Sequence, residues 1–166
     1  MYGSYPDSIN HPGEEKELLL NLSNSYLFKD ILALGNIRKP IQLEKLVQAL
    51  ALQIGSEVSY HELGQTIAAD KQTVERYIDL LEQCFVVFKV NAYSKNLRNE
   101  IKKSKKVYFY DLGVRNAVIQ NFNPLGLRTD TGQLFENYII SEYIKANHNN
   151  KKHAKYYFGE AFSNKK

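Results

Sequence analysis

SYHELGQTIAADKQTVERYIDLLEQ, residues 59–83, carries two helix starts separated by one tight break. Ser59-Tyr60-His61-Glu62 is a capping-box signature: the Ser59 hydroxyl accepts from the Glu62 amide, and the Glu62 carboxylate reaches back to the Ser59 amide. The helix it opens turns Leu63, Ile67 and Ala68 inward. It breaks near Ala69-Asp70, where Asp70 is placed to cap a second helix. In that second helix Val74, Tyr77, Ile78 and Leu81 recur at the spacing of a buried stripe.

Upstream, Leu43, Leu46, Val47, Leu50, Ala51 and Ile54 fall at i, i+3, i+4, i+7, i+8 and i+11, predicting an amphipathic helix closed by Gly55. Three helices with a tight break before the last make a helix-turn-helix. Downstream, Phe85-Val86-Val87-Phe88-Lys89-Val90 is short, aromatic and β-branched, and reads as a strand. A polar, basic segment follows, and Val107-Tyr108-Phe109-Tyr110 reads as the returning strand. Residues 40–111 therefore read as a winged helix-turn-helix, with Tyr93 to Lys106 as the wing.

On the N-terminal side, Tyr2 to Asp7 reads as loop and turn. One helix is expected from about Glu14 to Leu34, with Leu20, Leu27, Ile31 and Leu34 on one face and Gly35 as its stop. On the C-terminal side, Asp111 can cap a short helix through Arg115, Val118 and Ile119, and 121–129 is loop. A longer helix from about Asp130 to Ala146 is expected to bury Leu134, Phe135, Tyr138, Ile139 and Tyr143. Ala154 to Phe158 is a candidate strand. The fold class is α+β and mostly helical. The winged helix is flanked by an N-terminal helical part (1–39) and by an incomplete α/β unit (112–166) that must pack on it or on another chain.

The 166 residues are 43% hydrophobic and 24% charged, the composition of a packed globular protein. A single cysteine, Cys84, allows no internal disulfide. The first seventeen residues lack the basic start and apolar run of a signal peptide, and no apolar run reaches the ~20 residues of a membrane span. A soluble, cytoplasmic chain with no membrane association is the expectation. The formal charge of +4 is unevenly spread. Lys95, Arg98, Lys102, Lys103, Lys105 and Lys106 against Glu100 give the wing +5, and six lysines against Glu160 give 145–166 another +5. Subtracting both from the total leaves −6 on the body. Such basic segments attract phosphate backbones, and they are equally the composition of solvated loops.

Six phrases, in order, resemble one family: Ser25-Tyr26-Leu27-Phe28-Lys29-Asp30-Ile31, Leu52 to Ser59, Thr73 to Leu81, Tyr93 to Ile101, Val107 to Gly113, and Leu134-Phe135-Glu136-Asn137. They resemble the C-terminal domain of unknown function that follows the motor in prokaryotic AAA-type ATPases. The resemblance implies a winged helix leading into a restriction-endonuclease-like region, with Tyr2 to Pro6 as the tail of the ATPase module. Glu136 matches that family's helix glutamate. This sequence has no Gly-x-x-x-x-Gly-Lys-Ser/Thr, so it is expected not to bind or hydrolyse ATP by itself. It ends at Lys166, before the Asp and Glu-x-Lys that a nuclease metal site would need, and one carboxylate makes a poor Mg²⁺ site.

Two functions compete. In a DNA-binding reading, Lys71, Gln72, Thr73 and Arg76 at the exposed start of the third helix meet the major groove of a duplex. Lys95, Arg98, Lys102 and Lys103 on the wing meet phosphates. Asp70, Glu75, Asp79 and Glu82 against Lys71 and Arg76 give that helix a local −2, which opposes contact with a polyanion. In the second reading the chain is an interaction scaffold, docking to an ATPase motor domain or to copies of itself. An enzyme reading has little support. His11, His61, His148 and His153 lack metal-ligand spacing. Cys84 reads as a small core residue, Ser59 is a cap, and Tyr26, Tyr77, Tyr108, Tyr110, Tyr138 and Tyr143 follow apolar stripes. No catalytic residue, metal or cofactor is expected.

Overall fold

A computed structural model describes residues 1–23, 27–35, 37, 39–93, 105–150 and 156–158. The protein is α+β and mostly helical, with a small four-stranded sheet. Two short helices, α1 (Pro6–Asn10) and α2 (Glu15–Asn21), come first, and α3 (Leu27–Gly35) follows. Residues 2–5 form the expected turn, whereas Pro6 and Asp7 open α1, and the one helix expected over 14–34 is corrected to two elements, α2 and α3. Pro6 opens α1 at a first-turn position, where the missing N–H has no partner to lose. Leu20 packs against the cluster of Leu19, Val114 and Ala117 while Ile31 belongs to the main core, so these two members of the expected face do not share one stripe.

The central unit is α4 (Pro40–Leu52), β1 (Glu57–Val58), α5 (Tyr60–Ile67), α6 (Lys71–Gln83), β2 (Val87–Ala92) and β3 (Lys105–Phe109). β3 pairs antiparallel with β2, from Val87↔Phe109 to Asn91↔Lys105, and with β1 on its other edge. After it come α7 (Leu112–Val118), one 3₁₀ turn (Leu125–Leu127), α8 (Thr131–Asn149) and β4 (Tyr157–Phe158). β4 joins β2 in parallel, giving the order β1-β3-β2-β4.

The period-two alternation of β2 and β3 gives the sheet two apolar faces. Val87, Val107 and Phe109 face the helices and join Leu43, Leu46, Val47, Leu50, Leu63, Ile67, Val74, Tyr77, Ile78 and Leu81 in the main core. Phe88, Val90 and Tyr108 face the other way, onto Ile140 and Ile144 of α8 and the aromatic rings of Tyr156 and Phe158. Strand β2 starts two residues later than Phe85. Phe85 sits at φ 56° and closes α6, with Val86 N–H donating to the Leu81 carbonyl at 2.9 Å, and its ring is exposed.

Helix α8 departs most from expectation. Leu134 is buried as predicted, but Phe135, Tyr138, Ile139 and Tyr143 are 64%, 54%, 51% and 61% exposed. The buried positions are Leu134, Asn137, Ser141 and Asn147. Asn137 decides this rotation. Fully buried, its amide donates to the Phe109 carbonyl and its carbonyl accepts from the Phe109 N–H, both at 2.8 Å. Those two bonds satisfy backbone groups at the end of β3 and fix which face of α8 meets the sheet.

Candidate nucleic-acid interface

The break between α5 and α6 is built by three side chains and one strained residue. Ser59 Oγ accepts from the Glu62 N–H at 3.3 Å and opens α5. Ala68 ends it in the left-handed region at φ 55°, while the Ala69 N–H returns to the Gly64 carbonyl at 2.9 Å. A Cβ on Gly64 would lie 2.6 Å from the Ala69 oxygen, so the turn requires glycine there. Asp70 then accepts from the Thr73 N–H at 2.7 Å and from the Thr73 hydroxyl at 3.0 Å. Those bonds, the backbone one first, hold the Asp70 carboxyl below the usual carboxylate range. Gln42, reaching from α4, donates to the Ala68 carbonyl at 2.6 Å and ties the turn to the first helix.

Helix α6 buries Val74, Tyr77, Ile78 and Leu81 and leaves Lys71, Gln72, Glu75 and Arg76 exposed. Its first turn forms one wall of an open cleft of about 920 Å³. Lys71, Thr73 and Arg76 line this cleft together with Lys39, Gln42, His61 and Gln65, while Gln72 lies outside it. Three permanent cations thus converge, and the one carboxylate on the wall, Asp70, is committed to its cap. Lys39, Gln42, His61 and Gln65 are not legible as one site in sequence because Lys39 caps α4, Gln42 stands on it, and His61 and Gln65 stand on α5, away from α6.

The acidic half of α6 is engaged from inside the protein. Lys89, on the helix-facing side of β2, reaches Asp79 at 2.5 Å and Glu82 at 2.9 Å and is only 18% exposed. These two carboxylates raise the Lys89 ammonium above its ordinary value against the opposing effect of burial. The local −2 counted from α6 alone is therefore reduced to −1 by a charge that no helix-by-helix count includes. Glu75 is the one acid left on the exposed N-terminal half of α6.

Lys95, Arg98, Lys102 and Lys103, the expected wing contacts, lie outside the described residues. Lys105 sits over the Tyr60 ring at 5.6 Å. Lys106 sits over the Phe158 ring at 5.3 Å and pairs with Glu136 at 3.2 Å. Glu136 also accepts from the Tyr108 hydroxyl at 2.6 Å, and burial followed by this carboxylate pushes the tyrosine well above its ordinary value. Glu136 thus links α8 to β3. Among the described residues, no group of three or more His, Cys, Asp or Glu is arranged to hold a metal ion, and no helix is long and apolar enough to cross a membrane.

Two curated relatives extend well beyond this chain. An "Uncharacterized protein" of Haemophilus influenzae is 24% identical over 124 residues, covering 71% of this chain and 31% of that protein. "Uncharacterized protein MJ1637" of Methanocaldococcus jannaschii is 29% identical over 103 residues, covering 60% of this chain and 21% of that protein. The chain thus spans less than a third of either relative's length. No solved structure matches it. Residues 1–131, from the N-terminus to the first turn of α8, match one family along their whole length, and the chain belongs to that family, a domain of unknown function (DUF8612).

Proposed function

We propose that residues 40–111 form a winged helix that binds double-stranded DNA, as a non-catalytic module of a longer protein. The helix–strand–helix–helix order followed by a returning ribbon, with β1 and β2 on either side of β3, supports the winged-helix reading. One observation carries the DNA reading. Lys39, Lys71 and Arg76 converge on the exposed start of α6, while Asp79 and Glu82 are paired with Lys89. A helix N-terminus flanked by cations attracts phosphate oxygens, and phosphate contacts supply most of the affinity for a duplex. Gln72, Lys71 and Arg76 face solvent beside the cleft and are the side chains within reach of base edges.

The length of the relatives, several times that of the matched segment, supports the reading as a module of a larger machine. The phrases from Ser25 to Asn137 point to a prokaryotic AAA-type ATPase with this part behind its motor. No catalytic step is assigned to this chain. Fluorescence anisotropy with a random-sequence duplex tests the interface. The double variant Lys71→Ala/Arg76→Ala is expected to weaken binding by about 10-fold or more across unrelated sequences, each lost phosphate contact lowering the salt slope by ~1. Equal binding by variant and wild type contradicts this interface. If wild type fails to bind at low salt, the chain is instead a scaffold that docks on other proteins.

A further inference from the structure

The ends of a chain fray unless something ties them down. Residues 1–5 are tied along their whole length, and two glycines make room for the fit. The Asp111 carboxylate caps α7 through one oxygen, at 3.0 Å from the Val114 N–H. Its other oxygen accepts from the Ser4 N–H at 2.7 Å and from the Ser4 hydroxyl at 3.3 Å. The Asn116 amide donates to the Met1 carbonyl at 2.8 Å, and the Ser8 hydroxyl donates to the Tyr5 carbonyl at 2.8 Å. The Tyr2 ring stacks on Phe122 with centroids 5.5 Å apart, and Tyr5 packs on the cluster of Leu19, Val114 and Ala117. Gly3 sits at φ 68°, and a Cβ there would collide with the Asp111 carboxylate. A Cβ on Gly113 would collide with the Tyr2 carbonyl. Backbone thus lies directly on α7, and a side chain on either glycine would lift it off.

The seat continues inward. Asn116, 1% exposed, accepts from Arg115 Nη1 at 3.2 Å. Arg115, equally buried, donates through Nε to the Ala51 carbonyl in the last turn of α4 at 2.8 Å, and through Nη1 to Asp130 at the start of α8 at 2.6 Å. Its guanidinium satisfies a carbonyl that the end of α4 would otherwise leave without a partner. The Met1 carbonyl is therefore joined to the first helix of the winged unit through Asn116 and Arg115 alone. A buried, satisfied network of this kind rigidifies what it joins. We propose that residues 1–5 are a strap that mounts the α4–β3 unit rigidly. A polypeptide continuing N-terminally from Met1 then leaves in one fixed direction relative to the cleft on α6, instead of swinging on a linker. Composition alone argues the reverse, because Gly and Ser are the residues of flexible linkers. Here Gly3 and Ser4 are the two residues that fit the seat. The curated relatives, several times longer than the matched segment, are the setting in which such a mount matters.

The test contains no DNA, so a loose strap leaves the duplex reading standing and a chain that binds no duplex leaves the strap standing. Nitrogen-15 relaxation of the 166-residue chain is expected to give Gly3, Ser4 and Tyr5 order parameters near about 0.85, as in rigid backbone. Gly3→Val is expected to bring all three below about 0.6 and to abolish the nuclear Overhauser contact between the Tyr2 and Phe122 rings. Gly3 is exposed, so α4 and α7 stay folded in this variant. Gly113→Ala improves the helix propensity of α7 and is expected to release the same residues from the other side of the seat. Gly126→Ala, where a Cβ meets nothing within 4 Å, is expected to leave them rigid. In a Cys84→Ser background, spin labels at Met1→Cys and Gln48→Cys, the latter exposed on α4, are expected to give one narrow distance distribution that Gly3→Val broadens. Order parameters below about 0.6 in the wild-type strap, a broad distribution without Gly3→Val, or a strap that stays rigid in both Gly3→Val and Gly113→Ala each overturns the proposal.

Discussion

Asn137 is a fully buried polar residue that ties α8 to the end of β3. Its side-chain amide replaces a missing strand for Phe109, donating and accepting at 2.8 Å. Asn137→Leu keeps the volume but leaves a buried N–H and a buried carbonyl unpaired, at about 1–3 kcal/mol each. The expected loss of about 3 kcal/mol is read from the urea midpoint, and a loss below 1 kcal/mol would contradict this role. Asp130 offers a second test at this scale. Hydrogen bonds from Arg128 first, and then from the buried Arg115 guanidinium, hold its carboxyl down to about 2. Because the folded value lies below the unfolded one, the pair stabilises fully above about pH 4, and that contribution disappears as pH falls toward 2. Wild type should lose stability over this interval more steeply than Asp130→Asn, as thermal melts at pH 5, 4 and 3 would show; parallel profiles would rule the linkage out. Neither role was legible in the sequence. Helix α8 carries apolar residues on two faces, Leu134, Ile140 and Ile144 on one and Phe135, Ile139 and Tyr143 on the other, so periodicity alone cannot choose the inward one. The choice is made by two hydrogen bonds to a strand 28 residues away in sequence.

At the scale of elements, the caps were the most legible feature. Ser59, Asp70 and Asp111 each accept from the backbone N–H three residues on, as their positions before apolar stripes predict. Boundaries were less legible where a residue other than glycine takes the left-handed conformation. Ala68 and Phe85 end α5 and α6 at φ 55° and 56°, and nothing in alanine or phenylalanine announces that geometry. An alanine there costs about 1–2 kcal/mol, so Ala68→Gly is expected to stabilise the chain by up to about 1 kcal/mol after the extra unfolded-state entropy is deducted. A fall in the melting temperature would contradict that assignment of strain. The ribbon and α6 are coupled through Lys89, which period-two alternation places over the helix. Lys89→Met removes the cation that Asp79 and Glu82 share, leaving Glu82 only the backbone N–H of residue 89 at 3.0 Å. Duplex affinity should then fall by about 3- to 10-fold, although Lys89 itself faces the protein interior. Adding Asp79→Asn/Glu82→Gln to that variant should restore it. No change in affinity with Lys89→Met would mean that these acids lie too far from DNA to matter.

For the whole molecule, charge and packing divide the labour. The apolar core from α3 to β3 supports a cationic cleft at one end of α6, and the sheet's second face carries α8. The helices α4, α5 and α6 and the β2–β3 ribbon were readable in sequence because each rests on local patterns: caps, helical period and alternation. The cleft was readable only in part. Lys71, Thr73 and Arg76 lie on one helix, whereas Lys39 and His61 reach it only through the packing of α4 and α5. A salt titration of wild-type binding to random duplex DNA tests the central claim most directly. With at least the three cations of the cleft releasing counterions, affinity should drop by roughly 40-fold or more between about 50 and 200 mM salt. Binding absent at the lowest salt, or unchanged across that range, would contradict a phosphate-contacting winged helix.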